Sequence, residues 1–267
     1  MMQSTMLPAP SPCELWLVDL HNAPTVADLA KLSGDELTRA GCFVFESDGR
    51  RFLAAHCALR ERLAEFVGMP PELLQFQRGA HGKPELLGEA TCSFNLSHSA
   101  DLALIGLSRE ARVGVDVEML GRPLANIDAL AEQYFSRDEY EVFRRIDAAD
   151  RRRAFLLTWT RKEACLKALG LGLRADSRLL EVGLAEREQP VPTRLLPPDE
   201  SLHVRSIFPA PGAVGAIAWI PGGASDRSPA SRPGSSLNDQ KESTRCARPE
   251  NFKPDRRHPA PAGRRAG

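Results

Sequence analysis

The chain has 267 residues, 42% hydrophobic and 26% charged, and its 35 Lys plus Arg offset its 35 Asp plus Glu to a formal net charge of +0. This is the composition of a globular protein with room for one large or two small domains around a real core, and the balanced charge favours neither nucleic acid nor a membrane surface as a partner. No apolar run reaches the roughly 18 residues of a transmembrane helix, and the first twelve residues lack the basic-then-apolar pattern of a signal peptide.

The six cysteines (Cys13, Cys42, Cys57, Cys92, Cys165, Cys246) show no C-x-x-C spacing. That argues against a zinc site or a disulfide framework and leads to the expectation of reduced thiols in a cytoplasmic protein.

Taken in chain order, Glu14 to Leu20 is an apolar run suited to a buried strand, closed by the turn residues His21 to Pro24. A short helix is expected from Ser33, with Asp35 and Glu36 in its first turn. Asp48 to Val67 has the periodicity of a long amphipathic helix, stopped by Gly68 and Pro70. Gln75 to Glu89, which contains Arg78-Gly79-Ala80-His81-Gly82-Lys83-Pro84, reads as a loop. Strands are expected at Thr91 to Ser97 and Leu102 to Leu107, around a turn at His98 to Asp101. A third follows at Val113 to Glu118. Ser136 and Glu139 form a capping-box pair opening a helix to Ile146, and Asp150 is placed to cap the next helix, which runs to Leu169 and ends at Gly170. Leu179 to Ile220 reads as β-rich, with strands at Leu202 to Phe208 and Val214 to Ile220.

From Pro221 onward the chain is rich in Pro, Gly, Ser and Arg, and disorder is expected over 221–267. The rest carries an internal echo. Ser33-x-Asp-Glu and Ser136-x-Asp-Glu each precede a long helix, and those helices open at Asp48-Gly-Arg-Arg and Asp150-Arg-Arg-Arg and end at a glycine. Each half also begins with a strand carrying an Asp, Asp19 or Asp116. The expected fold class is therefore α+β, two similar α/β halves related by a pseudo-twofold axis (13–112 and 113–220), with a ligand crevice between them in a monomer.

The candidate metal-binding and catalytic residues lie in the second half. In Val113-Gly114-Val115-Asp116-Val117-Glu118, strand periodicity puts Asp116 and Glu118 side by side on one face. They read either as a solvated polar face or as half of a site for a hard cation such as Mg²⁺. In the 150–169 helix, Glu163 falls inside the stripe formed by Phe155, Leu156, Trp159 and Leu166, with Lys167 one turn on. Glu163 and Lys167 could form a plain surface pair. Alternatively Glu163 faces Asp116 and Glu118, and three carboxylates around one Mg²⁺ with Lys167 nearby make a phosphate-handling centre. Asn95-Leu96-Ser97-His98-Ser99 offers hydroxyl, imidazole and backbone N–H groups to an anion, and Lys83 adds a cation on a loop.

Phe94-Asn-Leu-Ser-His-Ser99, Gly114-Val-Asp-Val-Glu118, Trp159-Thr-Arg-Lys-Glu-Ala-Cys-Leu-Lys-Ala-Leu-Gly170 and Gly82-Lys-Pro84 resemble, in order and spacing, the signature blocks of 4′-phosphopantetheinyl transferases of the large pseudo-dimeric type. Arg39 to Phe45 resembles the N-terminal block. The resemblance covers about Leu15 to Ile220. It implies a holo-[acyl-carrier-protein] synthase activity: transfer of the phosphopantetheine arm of coenzyme A to a serine of an acyl or peptidyl carrier protein. It implies Asp116, Glu118 and Glu163 as Mg²⁺ ligands and Glu163 and Lys167 as the catalytic pair. It implies Arg39, Arg78, Lys83, Asn95, Ser97, His98 and Lys167 as coenzyme A contacts. In one respect the chain departs from the pattern: Glu36 stands where some members carry a Lys, so recognition of the 3′-phosphate would fall to Arg39 with Arg51. A coenzyme A-binding module without catalysis and a Mg²⁺-dependent phosphohydrolase are the competing readings.

Overall fold

The computed structural model describes residues 2–79, 81–88, 92–172 and 175–222. The sequence folds as two copies of one plan. The first half runs β1 (Ser4–Leu7), β2 (Cys13–Asp19), α1 (Val26–Leu29), α2 (Gly34–Ala40), α3 (Glu46–Val67), the hairpin β3 (Phe76–Arg78) and β4 (Pro84–Leu86), then β5 (Ser93–Ser99) and β6 (Leu102–Ser108). The second runs β7 (Ala111–Met119), α4 (Ile127–Tyr134), α5 (Arg137–Phe143), α6 (Arg151–Leu169), β8 (Gln189–Pro190), β9 (His203–Ile207) and β10 (Ala213–Pro221). The two main sheets have orders β1-β2-β6-β5 and β7-β10-β9-β8, with antiparallel pairing throughout. In the first half β2 lies beside β6, the second strand of the closing hairpin, as β7 lies beside β10 in the second. The mixed helix-and-sheet class and the repeated halves expected from the sequence are present.

Each sheet is buried on both sides, which explains the near-continuous apolar character of β2 and β10. One face of the first sheet packs under α3 through Val18, Leu20, Leu59, Leu63, Phe94 and Ile105. One face of the second packs under α6 through Cys165, Leu166, Leu180, Val204 and Ala218. The other faces meet in a shared core of Leu15, Leu104, Val113, Val115, Val117 and Ile217. Each fully buried Val, Leu, Ile or Phe side chain contributes roughly 1.5–3 kcal/mol.

The helix boundaries follow local chemistry. Ser136 and Glu139 form the expected capping box, and Ser33 and Glu36, at the expected helix start, form another. Helices α3 and α6 both end at a left-handed glycine, Gly68 (φ 75) and Gly170 (φ 70). Asp150 occupies the N-cap of α6, but its side chain makes no capping bond.

Several expectations are corrected. The expected 75–89 loop contains the β3–β4 hairpin. The expected turn at His98 to Asp101 is shorter: β5 continues through Ser99, and the turn is made by Ala100 (φ 50) and Asp101. Helix α4 and edge strand β1 were not anticipated, because each is too short for periodicity to register. Cys13, Cys57, Cys92 and Cys165 are free thiols, in line with the expectation. The expected tail disorder falls almost wholly outside the described residues.

Asp19 and Asp116 both lie on the expected strands, β2 and β7, but in different settings. On β2 the residues turned towards α3 include the apolar Trp16 and Val18, whereas β7 turns Asp116 and Glu118 towards α6. Asp19 lies at the end of β2, bonded to His21 at 2.6 Å.

Candidate active site

The site forms where β5 of one half lies along β7 of the other. These strands do not pair through their backbones; alternate side chains of β5 take the place of the missing ladder. Ser93 Oγ accepts from the Val113 N–H at 3.0 Å, and Asn95 Oδ1 accepts from the Val115 N–H at 2.9 Å. Ser97 Oγ donates to Asp116 Oδ1 at 2.8 Å. Ser99 Oγ donates to Glu118 Oε2 at 2.8 Å and accepts from the Met119 N–H at 3.3 Å. This seam buries Asp116 (6% exposed) and Glu118 (5%), so they are not a solvated strand face.

Helix α6 reaches these carboxylates because β7 has a glycine beneath it. A Cβ at Gly114 would lie 2.1 Å from the Ala164 carbonyl oxygen and 2.4 Å from the Ala168 nitrogen. The helix therefore lies flush on β7, and the residues on either side of this contact, Glu163 and Lys167, come over the acidic pair. Lys167 Nζ donates to Asp116 Oδ1 at 2.7 Å, the Val115 carbonyl at 3.1 Å and Ser97 Oγ at 3.2 Å. The simple Glu163–Lys167 surface pair is thus replaced by a tertiary contact.

Glu163 is half-buried. Its pKa is raised from 4.5 to about 7 by burial and by the charges of Asp116 and Glu118, against the opposing influence of Lys167. Beside it, Tyr134 packs edge-on against Trp159 at 5.0 Å, and burial and the Glu163 charge push its phenol pKa up.

The remaining expected residues divide between the site and its surroundings. Lys83, on the β3–β4 hairpin, donates to the Val113 carbonyl at 2.9 Å. Burial, reinforced by Arg112 and Lys167, lowers its pKa to about 8. Arg78 is exposed at the end of β3. Asn95 and Ser97 belong to the seam, and strand alternation turns His98 to the opposite face, that of Phe94 and Leu96. Hydroxyl and imidazole therefore do not project together from one turn. Arg39 lies on α2 with its guanidinium over the Phe52 ring at 5.3 Å. Arg51 is bonded to Asp101 at 2.8 Å and to Asp48 at 3.2 Å. Glu36 is bonded to His56 at 2.9 Å and Arg60 at 2.8 Å, and despite its burial those partners lower its pKa to about 2. Its negative charge is thus committed to internal partners.

Sequence reasoning missed Arg122, whose Nη1 meets Glu118 Oε1 at 2.5 Å, and the seam role of Ser93 and Ser99. The signal for the seam was the polar residue at every second position of Ser93-Phe-Asn-Leu-Ser-His-Ser99. It also missed Lys162, which is fully buried and binds Glu139 (2.7 Å) and the carbonyls of Ser177 (2.8 Å) and Leu180 (2.7 Å).

The donor set fits a hard divalent cation. It consists of carboxylate oxygens, and Asp116 Oδ2 is buried without a hydrogen-bond partner. Among the described residues no group of three or more His, Cys, Asp or Glu side chains has the arrangement of a formed metal site.

A sequence model of the 4′-phosphopantetheinyl transferase superfamily matches residues 112–208, and one of the 4′-phosphopantetheinyl transferase N-terminal region matches 22–109. The chain is 36% identical over 200 residues to the 4′-phosphopantetheinyl transferase HetI of Nostoc sp., covering 70% of this chain and 84% of that protein.

The chain belongs to the 4′-phosphopantetheinyl transferase superfamily.

It is also 36% identical over 170 residues to the putative 4′-phosphopantetheinyl transferase slr0495 of Synechocystis sp., covering 63% of this chain and 68% of that protein. It is 33% identical over 142 residues to the 4′-phosphopantetheinyl transferase psf-1 of Bacillus pumilus, covering 53% of this chain and 59% of that protein. The two family matches meet between β6 and β7, the junction of the structural halves. Asp116, Glu118, Glu163 and Lys167 all lie within the superfamily match, and the first half contributes the seam.

Proposed function

We propose that this transferase moves the 4′-phosphopantetheine arm of coenzyme A onto a serine hydroxyl of an apo acyl or peptidyl carrier protein, releasing adenosine 3′,5′-bisphosphate. The observation that carries the reading is the convergence of Glu163 and Lys167 from α6 on Asp116 and Glu118 of β7.

A serine hydroxyl is a weak nucleophile and needs a base. Glu163, on α6 beside Asp116 and Glu118, is suited to take its proton directly or through a water. Lys167 offers an ammonium to the diphosphate as the P–O bond breaks and can donate a proton to the leaving phosphate. Asp116, Glu118 and Glu163 would hold Mg²⁺, which when bound neutralises charge on the diphosphate. Lys83, Arg78, Arg39 and His98, with Asn95 and Ser97 at the seam, would hold coenzyme A. The functional units are 13–112 and 113–220. Because one chain supplies both halves, the protein acts as a monomer. Among the described residues no helix is long and apolar enough to cross a membrane, and the reading places the protein in the cytoplasm with no nucleic-acid or membrane partner.

The test is mass spectrometry of an apo carrier protein incubated with this protein, coenzyme A and Mg²⁺, with an EDTA control. A gain of one phosphopantetheine mass that disappears with EDTA supports both the reaction and the metal. Release of free phosphopantetheine with no gain on the carrier would mean hydrolysis.

A further inference from the structure

We propose that Ser99 is a positioning residue: it orients the Glu118 carboxylate from across the seam and thereby sets the affinity of the acidic site for a divalent cation. The inference rests on the proposed function.

Four β5 side chains bridge to β7, but they do different things. Ser93 and Asn95 only accept backbone N–H bonds, from Val113 and Val115. Ser97 and Ser99 donate to the acidic pair itself. The Ser97 hydroxyl also meets Lys167, so its effect cannot be separated from that ammonium. Ser99 can be isolated. A serine hydroxyl has one proton to give and lone pairs to receive with. In Ser99 the proton goes to Glu118 Oε2 and a lone pair receives the Met119 N–H, so the rotor is fixed at both ends. The residue is buried, and the turn that follows it is fastened to α3 by the Arg51–Asp101 pair at 2.8 Å. On the other side of the carboxylate, Arg122 reaches Oε1. Glu118 is therefore gripped from both halves, with the first half supplying the neutral, directional contact. Groups that orient a ligating carboxylate typically account for about 10- to 100-fold in metal affinity.

The experiment titrates Mg²⁺ calorimetrically into the full chain with coenzyme A present, comparing wild type with Ser99→Ala, Ser99→Thr and Ser93→Ala, each checked for folding by thermal melting. Ser99→Ala is expected to raise the Kd for Mg²⁺ about 10- to 100-fold, with Ser99→Thr restoring most of the affinity. Ser93→Ala removes a rung that touches no carboxylate, so it is expected to lower the melting temperature and keep the wild-type Kd. If Ser99→Ala does not fold, Ser99→Cys, which keeps the size with a weaker donor, takes its place and is expected to weaken binding. Unchanged Mg²⁺ affinity in the folded Ser99 variant, or an equal loss in Ser93→Ala, overturns the inference while leaving the transferase reading intact. Absence of Mg²⁺ binding by the wild-type chain overturns the cation reading and this inference with it.

Discussion

Glu61 and Glu163 are counterparts. Each lies seven residues before the left-handed glycine that ends its helix, Gly68 in α3 and Gly170 in α6. Their surroundings have diverged. Glu61 is bonded to Lys31 Nζ at 2.5 Å and to the Met2 N–H at 3.0 Å, and the opposing strand presents Trp16 and Val18. Glu163 faces Asp116 and Glu118. In one copy of the repeat this glutamate makes an internal ion pair, and in the other it lies beside two further carboxylates.

This contrast predicts opposite phenotypes for the same substitution. Glu163→Gln is expected to abolish phosphopantetheine transfer while leaving coenzyme A binding and folding nearly intact. Glu61→Gln is expected to cost about 1–3 kcal/mol of stability and leave the turnover of the folded fraction near wild type. Calorimetric coenzyme A binding, the carrier mass shift and urea denaturation distinguish the two. Near-wild-type turnover by Glu163→Gln would falsify its catalytic role.

The carboxyl groups also predict the pH dependence of stability. Glu163 has its folded pKa raised from 4.5 to about 7, so its contribution is fully present below 4.5 and is lost as pH rises through about 7. In EDTA, Glu163→Gln should flatten the decline of wild-type stability across this window. Glu36 is the reverse case. Its pKa is lowered from 4.5 to about 2, so its contribution is present above 4.5 and is lost as pH falls towards 2. Glu36→Gln should remove part of the acid limb. Denaturation midpoints from pH 3 to 8 check both signs.

Gly114→Ala should displace α6. The added methyl would meet the backbone of Ala164 and Ala168, which cannot swing aside as a long side chain would. Overpacking of this kind typically costs about 1–3 kcal/mol, and the shift would pull Glu163 and Lys167 away from β7. The expected result is a lowered melting temperature together with a loss of turnover larger than the unfolded fraction accounts for. Wild-type activity in a folded Gly114→Ala protein would show that the close contact does not position the site.

Lys162→Met should be among the more damaging changes outside the acidic site. It leaves Glu139 buried without its ion pair and strips the donor from the Ser177 and Leu180 carbonyls. Breaking a buried pair in this way costs about 3–5 kcal/mol. Guanidinium denaturation should show this loss, with Lys162→Arg recovering only part of it.

Much of this architecture was legible along the chain, because its signals are local. The helix start at Ser33, the capping box at Ser136, the stop glycines Gly68 and Gly170, and the alternation of Val113, Val115 and Val117 depend on contacts within a few residues. The repeated halves followed from the recurrence of those signals, and the signature blocks carried the family and the acidic residues. Local signals fail where partners are distant in sequence. Periodicity could not show that Asp116 and Glu118 are buried, because what covers them is a strand about twenty residues earlier and a helix about fifty residues later. Nor could it show that Lys167 pairs with Asp116 rather than Glu163, that apolar Trp16 and Val18 lie under α3, or that the β5 hydroxyls bond to β7. The sequence by itself determined the elements, the repeat and the residue types available for chemistry. Only the tertiary structure decided which carboxylates are compensated and which are left exposed to one another, because that depends on the close packing of Gly114 under α6 and on the side-chain seam between the two sheets.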